Sequence, residues 1–235
     1  MHKIQFNIKY FYLFFLIGLF LHMQPSFAQE LTVVSSVKGY KKSVEHDSLQ
    51  KMTEVKTWLP RVVYDLRYAT KNNFTGKKLY KDGDRTFIRV TAAQALQKVQ
   101  QELLLAEGYG LKVWDAYRPY SVTKKMWELI GDERYVANPA KGSGHNRGLA
   151  VDVTLIAVKT GKELNMGTGF DNFTDTAHHT FKDLPGDVLK NRLLLKTIME
   201  KHGFRALETE WWHYSFSNDR NYDVLDLSFK KLAKY

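Results

Sequence analysis

The sequence predicts an α+β fold, a single domain with a central, mostly antiparallel sheet flanked by helices. Segments with strand character and segments with helix character follow one another without the regular strand–helix–strand rhythm of a parallel sheet. The chain has 235 residues and no internal repeat, which suits one folded domain. It contains no cysteine, so the core cannot depend on a disulfide framework.

The first 28 residues have the pattern of a secretory signal peptide. Two lysines precede an apolar run over residues 11–21, and Ser26-Phe27-Ala28 is a small-x-small motif that predicts cleavage before Gln29. The run is shorter than the about 20 apolar residues of a membrane span, so we expect no stable span after cleavage; an uncleaved anchor is the alternative. Both interpretations place the remaining chain outside the cytoplasm, and we expect an exported, periplasmic protein.

Residues 29–57 are polar and show little periodicity, which predicts a poorly ordered N-terminal segment of the mature protein. The folded domain is therefore expected over residues 58–235. Within it, strands are predicted where β-branched or aromatic residues are enriched, and helices where an apolar stripe ends near a glycine. The predicted strands are 62–68, 111–115, 149–156 and 211–216, and the predicted helices are 91–107, 121–130 and 187–202. In the last of these helices we expect four residues in the core: Leu189, Leu193, Ile198 and Met199.

Charge and composition exclude several function classes. The formal net charge is +10, but the basic residues are dispersed and no nucleic-acid-binding motif is present, so we expect no nucleic-acid partner. An anionic cell envelope suits an exported basic protein better. Because the chain has no cysteine, thiolate chemistry is excluded, and any metal site must use histidine, aspartate and glutamate.

One histidine and one aspartate stand seven residues apart in the segment Ser143-Gly-His145-Asn-Arg-Gly148-Leu-Ala-Val-Asp152. His145 lies in a predicted loop and Asp152 in the following strand, and Gly148 permits the turn that would bring them together. A carboxylate between two valines must be paired or bind a metal if it faces inward, because an isolated buried charge is costly. The alternative is a surface-facing Asp152 and a solvated His145.

A second acid and histidine stand in the segment Glu208-Thr-Glu210-Trp-Trp-His213-Tyr214. Aromatic rings beside a carboxylate and an imidazole suggest a walled pocket of low dielectric. Positions three apart on a regular strand face opposite sides, so a site shared by Glu210 and His213 requires a bulge or bend between them. The alternative is an aromatic core strand with one hydrogen-bonded histidine.

Together the two segments supply two imidazoles and one carboxylate, which is a ligand set of catalytic zinc. We predict that His145, Asp152 and His213 bind one Zn²⁺ per chain. Such an ion lowers the pKa of a water molecule and polarises a carbonyl group. Glu210 is then free to act as the base that takes up the water's proton and passes it to a departing amine.

These segments resemble the motifs of the zinc DD-peptidase and Hedgehog-like superfamily. Residues 143–152 resemble its S-x-H-x-x-G-x-A-x-D signature, and residues 210–213 resemble its E-x-W-H element. Three further segments resemble motifs of one branch, the VanX-type D-Ala-D-Ala dipeptidases: 68–76, 114–119 and 166–171. The resemblance extends over roughly residues 59–216 and implies a Hedgehog/DD-peptidase-like fold.

The resemblance also implies roles for single residues. His145, Asp152 and His213 match the zinc ligands and Glu210 matches the general base, as the residue chemistry also suggests. Arg118 matches the arginine that stabilises the developing oxyanion, although it could simply pair with Asp115. The residues that match the pocket for the substrate's free amino terminus are Tyr68, Ser143 and Asp171. Tyr68 could instead belong to the core, and Asp171 could be a turn residue.

The implied activity is hydrolysis of D-alanyl-D-alanine to two D-alanines, in peptidoglycan turnover or dipeptide salvage, with a small D,D-dipeptide as substrate. Two alternatives are a zinc DD-carboxypeptidase that trims peptidoglycan stem peptides and a non-catalytic Hedgehog-like module that binds peptidoglycan. Glu210 favours a catalytic role, and segments 68–76 and 166–171 favour the dipeptidase. The chain is shorter between Arg118 and His145 than well-known members, which affects how tightly the pocket closes. His178 and His179 have no partner motif and are predicted to be a solvated surface pair.

Overall fold

A five-stranded mixed sheet lies at the centre of the computed structural model, which describes residues 31–217 and 220–235. The predicted signal peptide lies outside the described residues. The strands are β1 (Val33–Val34), β2 (Met52–Glu54), β3 (Val63–Tyr64), β4 (Phe87–Arg89), β5 (Tyr109–Asp115), β6 (Ala150–Ala157), β7 (Phe204–Leu207), β8 (Glu210–Phe216) and β9 (Val224–Leu225). The α-helices are α1 (Val37–His46), α2 (Val55–Trp58), α3 (Val90–Glu107), α4 (Tyr120–Ile130), α5 (Gly186–Lys201) and α6 (Phe229–Leu232), and short 3-10 helices cover Ser48–Gln50, Arg67–Ala69 and Asp175–Ala177.

The central sheet has the strand order β3-β5-β6-β8-β7. Only the β3–β5 pair in it is parallel; β5–β6, β6–β8 and β7–β8 are antiparallel. Two further pairs lie outside it, β1 with β9 in parallel and β2 with β4 antiparallel. The prediction of an α+β fold with a mostly antiparallel sheet is therefore confirmed.

Helices α3 and α5 pack against each other and against the sheet, α3 on β5 and α5 on β6, β7 and β8. Helix α3 ends at Gly108 and α4 at Gly131, both in the left-handed conformation, which glycine adopts without a steric penalty. Helix α5 buries Leu195, Ile198 and Met199, whereas Leu193, which we expected in the core, is 64% exposed. None of the helices in the described part of the chain has both the length and the apolar character to span a membrane.

The segment before residue 58 differs from the poorly ordered stretch that its composition predicts. Residues 31–57 form β1, α1, β2 and α2, and the side chains of Tyr40 and Met52 are almost fully buried. The hydroxyl of Tyr40 accepts a hydrogen bond from the backbone N–H of Met52 at 2.7 Å. Single buried residues separated by turns produce no periodic pattern, so sequence periodicity does not detect this packing.

The segment is also held by Arg89, a fully buried arginine at the end of β4. Its guanidinium donates to the backbone carbonyl oxygens of Gln50, Arg147 and Asp223, which belong to three distant parts of the chain. Hydrogen bonds to several carbonyls compensate for the loss of water around the buried cation. Arg89 thus ties residues 31–57 to the loop that carries His145.

Candidate metal centre and active site

The three predicted metal ligands meet at one end of the central sheet. Asp152 on β6 and His213 on β8 are direct cross-strand partners, and Nδ1 of His213 lies 3.0 Å from Oδ1 of Asp152. His145 reaches the same point from the preceding loop, with Nε2 at 3.2 Å from Nδ1 of His213 and 3.4 Å from Oδ2 of Asp152. One ligand atom from each residue lies within 4.8 Å of the others. The alternative of a surface aspartate and a solvated histidine does not hold, because Asp152 is 2% and His145 3% exposed.

The loop that carries His145 is a tight turn over residues 143–148. Gly148 has φ +67°, and a Cβ atom at Gly144 would lie 2.9 Å from Cβ of Ala150, so both positions favour glycine. The side chain of Asn146 donates to the backbone oxygen of Arg118 and to the Thr123 hydroxyl, at 2.8 Å each. This anchoring fixes the backbone on which His145 stands.

The outer nitrogens of both imidazoles have hydrogen-bond partners. Nδ1 of His145 lies 2.6 Å from the backbone oxygen of Ala116, and Nε2 of His213 lies 3.2 Å from the Ser215 hydroxyl. If these nitrogens carry the protons, the lone pairs of Nε2 on His145 and Nδ1 on His213 both face Asp152. Two such nitrogens and one carboxylate oxygen, each ring oriented from behind, fit a divalent transition metal and zinc in particular.

Electrostatics favour the protonation states that metal binding requires. Burial alone would raise the pKa of Asp152, but the charge and hydrogen bonds of His145 and His213 outweigh it, so its pKa lies below the usual range. Burial lowers the pKa of His213, so its imidazole gives up its proton more readily to a metal ion. An ionised carboxylate and a neutral imidazole are the forms that coordinate a cation.

Glu210 stands beside this cluster at the start of β8. Its Oε2 lies 3.9 Å from Nδ1 of His213, although the two residues are three apart on one strand. The pairing of β7 with β8 explains this: Ala206 pairs with Tyr214, but Leu207 pairs with Glu210, so β8 contains extra residues between them. The predicted irregularity near Trp211 and Trp212 is therefore present. Burial and the nearby charges of Asp152 and Asp171 raise the pKa of Glu210 well above its usual value.

Arg118 points its guanidinium towards the same cluster. Its Nε and Nη2 both lie 2.9 Å from Oδ2 of Asp115, and Nη2 lies 3.8 Å from Oδ2 of Asp152. Arg118 is 7% exposed and Asp115 fully buried. Arg118 thus both pairs with Asp115 and lies at the candidate metal centre, because the Asp115 carboxylate holds its guanidinium in place.

A pocket of about 270 Å³ opens onto this cluster. All eight residues that the sequence assigns to the site line it: Tyr68, Arg118, Ser143, His145, Asp152, Asp171, Glu210 and His213. Its outer wall includes Phe74, Tyr135 and Phe173, whose rings contact one another at centroid distances of 4.9 and 5.3 Å. Residues from the short segment between Arg118 and His145 therefore do contribute to closing the pocket.

Tyr68 and Asp171 line the pocket and are hydrogen-bonded to each other, but they are not part of the cluster of three predicted ligands. The Tyr68 hydroxyl donates to Oδ1 of Asp171 at 2.9 Å, and Oδ2 of Asp171 is buried without a hydrogen-bond partner among the described residues. Asp171 has φ +58° and is the only non-glycine residue in the left-handed conformation within residues 31–217 and 220–235. Burial raises its pKa to about 7. Ser143 lies across the pocket, where its hydroxyl accepts from the backbone N–H of Asn146 at 3.0 Å.

The similarity of this chain to known proteins agrees with the geometry of the site. A model of the M15 peptidase family, described as D-ala-D-ala dipeptidase, matches residues 48–232. The chain belongs to the M15 D-Ala-D-Ala dipeptidase family. The family match begins before residue 58, in agreement with the folded segment that precedes it.

Individual relatives of this M15 family chain carry the same description. The D-alanyl-D-alanine dipeptidase of Escherichia coli (strain K12) is 35% identical over 166 residues, which cover 71% of this chain and 84% of that protein. The D-alanyl-D-alanine dipeptidase of Enterococcus faecalis (strain ATCC 700802 / V583) is 35% identical over 179 residues, covering 67% and 87%. A solved structure of the vancomycin resistance D,D-pentapeptidase VanY, a glutamate-to-alanine mutant in complex with Zn(II), has a TM-score of 0.37 and 18% identity, covering 57% of this chain and 75% of that one.

Several residues of this M15 site were not found by sequence reasoning. Ser215 and the carbonyl of Ala116 orient the imidazoles, and Asn146 anchors the loop, but only the side-chain contacts in the folded structure show this. His178 and His179 are not the solvated pair that we expected. Both are half-buried, and neither Nε2 has a hydrogen-bond partner within residues 31–217 and 220–235.

Proposed function

We propose that this protein hydrolyses D-alanyl-D-alanine to two molecules of D-alanine, using one zinc ion held by His145, Asp152 and His213. The observation that carries the proposal is the convergence of these three side chains with Glu210 in one small pocket. Membership of the M15 D-Ala-D-Ala dipeptidase family supports the same reaction. When bound, zinc polarises the scissile carbonyl and lowers the pKa of the attacking water.

The protein's own groups handle protons and charge. Glu210 accepts the proton of the attacking water and delivers it to the departing amine, a role that suits a carboxyl whose pKa is raised. The guanidinium of Arg118, fixed by Asp115, stabilises the negative charge that develops on the carbonyl oxygen. Asp115 holds Arg118 in position before the substrate binds, which avoids reorganisation during the reaction.

The Tyr68–Asp171 pair in the pocket supports a substrate with a free amino terminus. The buried Oδ2 of Asp171 offers a carboxylate oxygen to an ammonium group, and the Tyr68 hydroxyl holds the other oxygen. A peptide with an acylated amine would leave this carboxylate unpaired and would extend against the aromatic wall of Phe74 and Phe173. These features favour a dipeptidase over a DD-carboxypeptidase.

The place and purpose of the reaction are part of the same proposal. The signal-peptide pattern of residues 1–28 supports export, with the periplasm as the compartment. There the enzyme would release D-alanine from dipeptides in peptidoglycan turnover or salvage. Peptidoglycan fragments are the source of substrate that suits this compartment.

Metal analysis paired with a dipeptide assay tests the proposal. We expect about one zinc per chain, release of alanine from D-Ala-D-Ala, and loss of this activity on chelation with recovery on added zinc. N-acetyl-D-Ala-D-Ala should be a poor substrate. Cleavage of an N-acetylated tripeptide in preference to the dipeptide would instead indicate a DD-carboxypeptidase. Bound zinc without turnover of either peptide would indicate a binding module.

A further inference from the structure

We propose that Tyr80 is a positioning residue for the reaction, which acts on Arg118 through Asp115. The Tyr80 hydroxyl lies 2.6 Å from Oδ1 of Asp115. Tyr80 is 3% exposed and is not among the residues that line the pocket at the metal centre. The hydroxyl of Tyr80 therefore influences the reaction through the carboxylate of Asp115, which it contacts. The kinetic test of this inference rests on the proposed function, whereas a test by hydrogen exchange at Arg118 does not.

The two oxygens of Asp115 have separate partners. Oδ1 accepts from Tyr80, while Oδ2 accepts from both Nε and Nη2 of Arg118 and lies 3.7 Å from Nδ1 of His145. Because Asp115 is fully buried, an oxygen without a partner would be costly, and the carboxylate would rotate or take up a proton to compensate. Either response weakens the paired hydrogen bonds that orient the guanidinium. The hydroxyl of Tyr80 thus fixes the rotation of Asp115 and with it the position of Arg118.

The ring of Tyr80 is held on two sides, so its hydroxyl has a defined position. It contacts Phe229 of α6 edge-on at 4.9 Å and Tyr68 at 5.9 Å between ring centroids. The guanidinium of Arg118 lies over the ring of Tyr68 at 5.0 Å. The C-terminal helix is therefore connected to the metal centre by a packed path through Tyr80.

Tyr80→Phe removes the hydroxyl and keeps the ring. We expect kcat for D-Ala-D-Ala to fall about ten-fold, with KM and bound zinc changed less than about two-fold, since a small displacement of an oriented group lowers the rate of the chemical step. Tyr117→Phe is the matched control. Tyr117 is also fully buried and packs on Phe229, but its hydroxyl bonds only to the backbone of Leu227. Its loss should lower stability and leave kcat within about two-fold of the wild type.

A double-mutant cycle with Arg118→Lys separates a positioning role from a general loss of structure. Lysine cannot form the paired hydrogen bonds with Asp115, so in that background Tyr80→Phe should lower kcat less than two-fold further. Full additivity of the two effects, or an equal loss of kcat in Tyr117→Phe and Tyr80→Phe, would overturn the proposal.

An activity-independent measurement completes the test. In the zinc-loaded protein the Nε–H of Arg118 should give a slowly exchanging NMR signal, assigned by its absence in Arg118→Lys. We expect its hydrogen exchange to accelerate at least about ten-fold in Tyr80→Phe and to remain unchanged in Tyr117→Phe. Unchanged exchange in Tyr80→Phe would refute the inference. Absence of dipeptide hydrolysis in the wild type would instead refute the proposed function and leave this result valid.

Discussion

Two aspartates that line the same pocket, one among the predicted metal ligands and one beside Tyr68, show how different surroundings give one side chain two roles. Asp152 lies between His145 and His213, and these two imidazoles hold its pKa below the usual range. Among the residues that the structure describes, Asp171 has the Tyr68 hydroxyl as its one hydrogen-bond partner, and burial raises its pKa to about 7. The first carboxylate is a permanent anion suited to a metal ion. The second is short of positive charge, which a substrate ammonium group would supply.

Removing the negative charge of Asp152 should have the largest effect on activity. In Asp152→Asn the cluster loses its anionic ligand, so we expect loss of bound zinc on dialysis and a fall in kcat/KM of about a thousand-fold or more. Zinc content by mass spectrometry and alanine release measure the two effects. Retention of one zinc per chain would show that Asp152 is not a ligand.

Glu210→Gln should separate metal binding from proton transfer. Glu210 lies beside the cluster but is not one of the three converging ligands, so zinc content should stay as in the wild type. We expect kcat to fall about 10²–10⁴-fold, since a neutral amide cannot accept the proton. A fall of less than three-fold would assign the base to another group.

Asp171→Asn should alter substrate binding and leave the metal in place. Loss of the counter-charge should raise KM for D-Ala-D-Ala about 10–100-fold, with unchanged zinc content, because a charge-assisted hydrogen bond is replaced by a neutral one. Asp175→Asn, at an exposed position near the pocket, is the control and should leave KM unchanged. Zinc loss in Asp171→Asn would contradict the assignment of metal binding to Asp152 and of amine recognition to Asp171.

The raised pKa of Asp171 predicts a pH dependence of binding with a defined sign. Below about pH 7 its carboxyl takes up a proton and loses the charge that pairs with an ammonium group. An uncleavable dipeptide analogue with a free amine should therefore bind about four-fold more weakly at pH 6 than at pH 8, since its own amine, with a pKa of about 8, is only about half protonated at pH 8. The same analogue without its amine should show no such change, and neither should Asp171→Asn. Equal pH profiles for the two analogues would remove Asp171 from amine recognition.

The smallest effect is expected for His179, which does not line the pocket. Its protonation should change only the free energy of unfolding. Burial and the charges of Lys196 and Arg192 lower its pKa from 6.5 to about 4. The unfolded chain takes up the proton first as the pH falls, so His179 costs stability progressively between about pH 6.5 and 4. Between pH 7 and pH 5 the wild type should lose about 2 kcal/mol more than His179→Gln in urea unfolding, with identical kcat. Equal losses would show that His179 is accessible to protons in the folded state.

Local pattern predicted much of the fold. The ends of α3 and α4 follow from Gly108 and Gly131, and the strands β5, β6 and β8 follow from β-branched and aromatic enrichment. Residues 31–57 were missed because their burial depends on Arg89 and on pairing with β4 and β9, which lie far away in the sequence. Leu193 was misplaced because the apolar stripe of α5 is weak, and the neighbouring elements select which face is buried.

The candidate site divides in the same way. Residue types and spacing identified the three metal ligands and the spare acid, because such a combination is recognisable in a sequence. The family resemblance added four further residues. All eight line the pocket: His145, Asp152, His213, Glu210, Arg118, Tyr68, Ser143 and Asp171. The role of Tyr80 depends on a contact across 35 residues and that of Ser215 on the direction of its side chain, so no local pattern marks them. Ser215 is only two residues from His213, but the sequence does not show that its hydroxyl faces the imidazole.

The amino-acid sequence alone specified the residue types that can hold a metal, the regular elements that carry them, and the family to which they point. The tertiary structure alone brought His145 to the Asp152–His213 pair, inserted the irregularity in β8 that turns Glu210 towards it, and set opposite charge preferences for Asp152 and Asp171. The physical reason is that distance, burial and pKa are properties of contacts between segments remote in the chain, whereas periodicity and motif spacing are properties of neighbours.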